Sequence, residues 1–176
     1  MRIELIQDLF HHLDSNDSLK IGYADESTTR ALEELDIPLD LKRTLQWYWT
    51  TSGGIVGPYT LDSVNVILAN NDFSKLFQSR MIPIGFAVNG DILVIRTAND
   101  GCNIGLVSHE IFWEEECGPV EAYVEITQTI DEYLWRSVEG RYLPIDYYSA
   151  TELAELRDDV TENKSTRSSD VPSRSA

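Results

Sequence analysis

The stretch from Ile82 to Glu110, IPIGFAVNGDILVIRTANDGCNIGLVSHE, constrains this chain more than any other. At its centre, Val88-Asn89-Gly90-Asp91 carries a two-residue hairpin signal. A type I′ turn needs positive φ at both central residues, which Asn tolerates and Gly adopts freely. Pairing across that turn sets Val88 opposite Asp91, Phe86 opposite Leu93 and Ile84 opposite Ile95, all on one face. The other face carries Gly85, Ala87, Ile92 and Val94. A hairpin apolar on both faces has to be covered on both, so it is expected inside a sheet and not at its rim. After a turn around Asn99-Asp100-Gly101, Ile104 to Ser108 reads as a third strand returning alongside. A β-meander of this kind suits any α+β domain.

The charge balance narrows the partners. Thirty acidic against fourteen basic residues give a formal net charge of −16 over 176 residues, with a pI near 4.4. Such a surface repels phosphate backbones and anionic lipid, so neither nucleic acid nor a membrane is an expected partner. It favours a basic protein; the alternative is that acidity only keeps the chain in solution. The length gives room for one domain with a sizeable core. Cys102 and Cys117 make no disulfide framework and no CxxC pair. The opening MRIELIQDLFHHLD has acids among its apolar residues, unlike a signal peptide, and no apolar run approaches the ~20 residues of a membrane span. The expectation is a soluble, cytoplasmic protein.

Helical spacing recurs along the chain. Ile6, Leu9, Phe10 and Leu13 mark one face of an opening helix, with His11 and His12 beside it pointing about 100° apart. Ala31, Leu32 and Leu35 predict a second helix, stopped before Pro38. A third begins at that proline, carries the stripe Leu41, Leu45, Tyr48 and Trp49, and ends at Gly53-Gly54, with Trp47 off the stripe and partly exposed. Tyr59 to Leu61 reads as a short edge strand. Asp62 or Ser63 then caps a helix with Val64, Ile67 and Leu68, and Phe73, Leu76 and Phe77 form an apolar cluster. Thr129 and Glu132 make a capping box for a helix burying Ile130, Tyr133, Leu134 and Val138, ended by Gly140. Ser149 or Thr151 caps a last short helix through Leu153 and Leu156. From Asp158 onward almost nothing can be buried, so 1–157 is expected to fold and 158–176 to be a disordered polar tail.

No nucleophile elbow, P-loop, HExxH or Rossmann fingerprint occurs. Cys102, His109 and Cys117 have none of the spacings of a known zinc site, and His109-Glu110, as strand neighbours, face opposite sides. His109 lies in the central element, but general acid–base work needs a partner that the sequence does not name. No catalysis, metal or cofactor is expected. Trp113-Glu114-Glu115-Glu116 is the densest acidic cluster of the folded part. Either the glutamates solvate a loop beside a core tryptophan, or Trp113 anchors a partner inside an acidic rim.

The order of these elements resembles the SUKH superfamily, the Smi/Knr-type domain, across about Ala31 to Leu134. The resemblance rests on Ile37-Pro38-Leu39-Asp40-Leu41-Lys42 running to Gly53-Gly54, on Leu61-Asp62-Ser63-Val64, and on Pro83 to Ala87 with Gly90 to Ile95. Gly105 to Glu110 and Ile130 to Leu134 complete it. It implies a single α+β domain with a twisted, mainly antiparallel sheet packed against several helices. It also implies a non-catalytic binding role, in bacterial members that of an immunity protein neutralising a polymorphic toxin, often a nuclease or deaminase; the strong acidity of this chain favours a basic toxin engaged through an acidic surface. The alternative within the same fold is an intracellular regulatory or scaffold adaptor.

Overall fold

The computed structural model describes residues 3–15, 19–98, 101–114 and 117–168. Among these, β1 (Ile21–Gly22) and β2 (Trp49–Thr50) form a two-stranded ribbon. A six-stranded antiparallel sheet follows in chain order: β3 (Gly54–Val56), β4 (Tyr59–Leu61), β5 (Met81–Phe86), β6 (Ile92–Ala98), β7 (Gly101–Val107) and β8 (Tyr123–Thr127). The helices are α1 (Ile3–Ser15), α2 (Glu26–Glu34), α3 (Leu39–Trp47), α4 (Val64–Ala69), α5 (Ser74–Gln78), α6 (His109–Phe112), α7 (Ile130–Val138) and α8 (Tyr147–Ser168). This is an α+β fold with an antiparallel sheet at its centre.

The hairpin of β5 and β6 lies inside the sheet, apolar on both faces and covered on both. One face joins Ile82, Ile84, Leu93 and Ile95 to Ile6 and Phe10 of α1, Leu41 and Leu45 of α3, and Tyr133 and Leu134 of α7. The other joins Met81, Ile92 and Val94 to Leu76 of α5 and Phe112 of α6. The predicted faces of α1 and α7 are therefore core. Two of the buried aromatics pass their polar tips to backbone oxygens: the Trp49 indole N–H donates to the Asp62 carbonyl at 2.9 Å and the Tyr133 hydroxyl to that of Val56 at 3.0 Å. Gly85 is required by its neighbour strand, since a Cβ there would sit 1.9 Å from the Thr60 carbonyl oxygen.

The turn differs from the type I′ expectation. Ala87 N–H donates to the Asp91 carbonyl at 2.8 Å and Gly90 N–H to that of Ala87 at 3.0 Å, closing a three-residue loop, Val88-Asn89-Gly90. Gly90 takes φ +97°, whereas Arg80 is the one non-glycine at positive φ among the described residues, so Asn89 is not left-handed. The cause is local: the Asn89 side-chain oxygen accepts the Asp91 N–H at 3.2 Å, holding Asn89 in an ordinary turn conformation. The odd loop moves every expected pair. Phe86 faces Ile92, Gly85 faces Leu93, and a shift between Pro83 and Gly85 sets Ile82 opposite Ile95. That irregularity turns Phe86 toward the smaller cluster, away from the Ile84 face.

Other expectations change for equally local reasons. The third helix stops at Trp47, and Trp49 is a buried residue of β2; Gly53, at φ +73°, serves the turn into β3. β4 is flanked on both sides, so the sheet's edge at that end is β3. His109-Glu110 opens α6, where the Ser108 side chain caps the Ile111 N–H, and is not a strand. α8 begins at Tyr147, with the Asp146 carboxylate accepting the Ser149 N–H at 2.8 Å, and runs on to Ser168. The boundary expected at Asp158 falls within it; the side chains of the tail, and 169–176 altogether, lie outside the described residues. So do Asn99 and Asp100 of the expected turn before β7.

Candidate protein-binding surface

Asp91 is the single charged residue between Ile82 and Ile95, and its side chain is 1% exposed. Four donors hold its carboxylate. Oδ1 accepts the His109 N–H at 3.1 Å and lies 2.8 Å from His109 Nδ1. Oδ2 accepts the Tyr147 N–H at 2.7 Å and the Asn89 side-chain amide at 2.8 Å. Burial opposes the charge, but the bonds from Tyr147, His109 and Asn89 outweigh it and lower the pKa below the ordinary carboxylate value. An ionised Asp91 thus ties the hairpin loop, the start of α6 and the start of α8 together at one end of the sheet.

That end presents apolar side chains among acids. Val88, at the hairpin tip, is 94% exposed, and Ile145 and Tyr148 are exposed where α8 begins. The Tyr148 hydroxyl donates to Glu110 at 2.6 Å, which with the Glu110 charge raises the phenol's pKa. Trp113 follows α6 and is 56% exposed, so it is not a core residue. Its ring stands edge-on to buried Phe112, with centroids 4.7 Å apart, which fixes an otherwise free side chain on the surface. Glu114 continues the turn, its N–H donating to the Ile111 carbonyl at 3.1 Å. Of the four residues expected to form the contact, Trp113 and Glu114 are placed here; Glu115 and Glu116 lie outside the described residues.

His109 has a partner that sequence reasoning did not name. The carboxylate is 18 positions away, and the only signal for it was one acid in an apolar run. Chemically the pair orients loops: each Asp91 oxygen is already engaged by two donors, and no hydroxyl or thiol among the described residues bonds the His109 ring. Cys102 is buried opposite Thr97 on β7, while Cys117 follows α6 and contacts Glu114 at 3.6 Å. These cysteines and His109 do not converge, and no group of three metal ligands forms among the described residues. His11 and His12 are exposed on α1. No helix among the described residues is long and apolar enough to cross a membrane.

Compared with protein-family models, with curated proteins and with solved structures, the chain matches none.

Proposed function

We propose that this chain is a non-catalytic binding domain that engages a basic protein through the end of the sheet organised by Asp91. The observation that carries this reading is Trp113: a large aromatic held outside the core beside Glu114 in sequence and three positions after Glu110, which accepts from the Tyr148 hydroxyl. Interface energy concentrates in a few aromatic anchors, and a surrounding acidic rim selects a cationic partner. The resemblance to the SUKH superfamily turns that partner into a polymorphic toxin, a basic nuclease or deaminase, blocked by covering its active site or substrate groove. The protein then works in the cytoplasm, where such a toxin acts.

The test is genetic and then physical. Where a gene for a secreted protein with a C-terminal toxin domain adjoins this one, coexpression of this chain should restore growth of cells making that domain. Trp113→Ala combined with Glu114→Lys, shown by circular dichroism to remain folded, should lose the rescue. Full rescue by the double variant would move the contact off this surface. Failure of the native chain to rescue would remove immunity and leave the adaptor reading, which needs only the same surface and another basic partner.

A further inference from the structure

The Asp91 node fixes the chemistry of one atom on the candidate surface. Asp91 is ionised and has no proton to give, so the proton of the 2.8 Å contact between its Oδ1 and the His109 ring sits on Nδ1. A neutral imidazole carries a single N–H. Nε2 is then a bare acceptor, and no group among the described residues bonds to it. The buried carboxylate behind the ring makes that far nitrogen more basic, as it does for histidines that hold a metal. Its side chain is 36% exposed, and its ring lies against Gly90 at the hairpin tip, where an added Cβ would meet it at 3.7 Å. Trp113 comes four positions later with its backbone still helical, so the two side chains leave α6 on the same side, one turn apart. The titratable groups packed around the ring are Asp91 from the hairpin, Glu110 from α6, and Tyr147 and Tyr148 from the start of α8. Tyr148 stays protonated, because its bond to Glu110 and that residue's charge raise its pKa.

We propose that His109 Nε2 accepts a hydrogen bond from a cationic side chain of the basic partner, so that the contact exists only while His109 is neutral. The inference rests on the binding reading above and deepens it. In the free chain water solvates Nε2; in the complex a lysine or arginine N–H takes its place, and a charged donor makes the stronger bond. Protonation of His109 acts against this contact twice. It turns the acceptor into a donor, and it sets a positive charge against the partner's own. Asp91 keeps the ring in place in both states, since Nδ1–H faces it whether or not Nε2 is protonated. His109 is thus a specificity residue that ties recognition of a cation to pH.

The experiment begins on the free full chain, with NMR spectra that correlate its ring nitrogens and ring protons. In mild alkali His109 should show a protonated Nδ1 and a bare Nε2; the opposite tautomer overturns the proposal and leaves the binding reading untouched. Affinity for the basic toxin domain of the rescue assay is then measured from about pH 8 to about pH 5, where histidines change charge. It should fall about tenfold, with the midpoint of the His109 ring titration. His109→Asn places an amide N–H where Nδ1–H stands, so it keeps the Asp91 bond and removes Nε2. It should retain the native Tm, bind about tenfold more weakly at about pH 8 and lose the pH-dependent fall. His11, His12, Glu110 and the partner's own groups still titrate in that variant, so only the difference between the two profiles belongs to His109. If the native and variant proteins bind alike and follow the same profile, His109 only positions loops and the proposal is overturned. A native profile that does not follow the His109 titration overturns it too, even if the variant fails to fold. Absence of binding by the native chain at any pH removes the binding reading and this inference together, so the two failures are distinguishable.

Discussion

Asp91 keeps a charge where burial normally expels one, and four hydrogen bonds are what make that possible. Asp91→Asn leaves one acceptor oxygen for donors that now meet two, so it should cost about 2–3 kcal/mol, read from the denaturation midpoint. The sign with pH follows from the lowered native pKa. The unfolded chain takes up this proton near pH ~4, before the native protein does. The stabilisation is complete above that pH and is lost as pH falls through the lower native value. Acidification below pH ~4 should therefore destabilise the native chain more steeply than Asp91→Asn. Equal slopes would take Asp91 out of the acid response; some slope remains in either case, because Asp25 is lowered to about 2 as well. The neighbouring Gly90 is constrained by backbone and not by space: at φ +97° an added Cβ would meet the His109 ring at an ordinary 3.7 Å. Gly90→Val should cost roughly 1–3 kcal/mol through its β-branched backbone preference alone, and an unchanged Tm would contradict that account.

At the scale of elements, α7 shows what sequence alone conveys. Thr129 and Glu132 announce a capping box, and the Thr129 hydroxyl does accept the Glu132 N–H at 3.1 Å. The glutamate returns the bond one residue early, to the Gln128 N–H at 3.2 Å. Thr129→Ala should cost about 1 kcal/mol, seen as a lower denaturant midpoint with an unchanged slope. Such helices were legible because their signals lie within a turn or two of the residues they govern. The β1–β2 ribbon and β8 were not anticipated, since two- and five-residue strands carry little alternation and depend on partners far along the chain. The hairpin was legible as a hairpin, but its register was decided by one Asn89 side-chain bond, and a slip of one residue moves every pair. The candidate surface divides the same way. Trp113 and Glu114 were visible as an acidic, aromatic run, while the Asp91 node depends on His109 and Tyr147, 18 and 56 positions away, and no local pattern announces it.

For the whole molecule, charge governs how a partner arrives. The last nineteen residues hold four acids and three bases, so nearly all of the −16 belongs to the part expected to fold. A body so charged should draw a basic partner by long-range attraction, raising the association rate more than the final affinity. That attraction is screened beyond ~8 Å at physiological ionic strength, so association should slow as salt rises while dissociation changes little. Glu114, Glu115 and Glu116 sit in sequence beside the exposed Trp113, which separates the two contributions cleanly. Reversing all three to lysine, in a protein shown to remain folded, should slow association with the proposed basic partner and make its salt dependence shallower. Trp113→Ala removes no charge, so it should leave association near its native rate and speed dissociation instead. Stopped-flow measurements at low and high salt read both quantities. If the reversed protein keeps the native on-rate and salt slope, the approach is steered by acids elsewhere on the body. If Trp113→Ala leaves dissociation unchanged, the anchor is another of the exposed side chains around Asp91, with Tyr148 the next to replace.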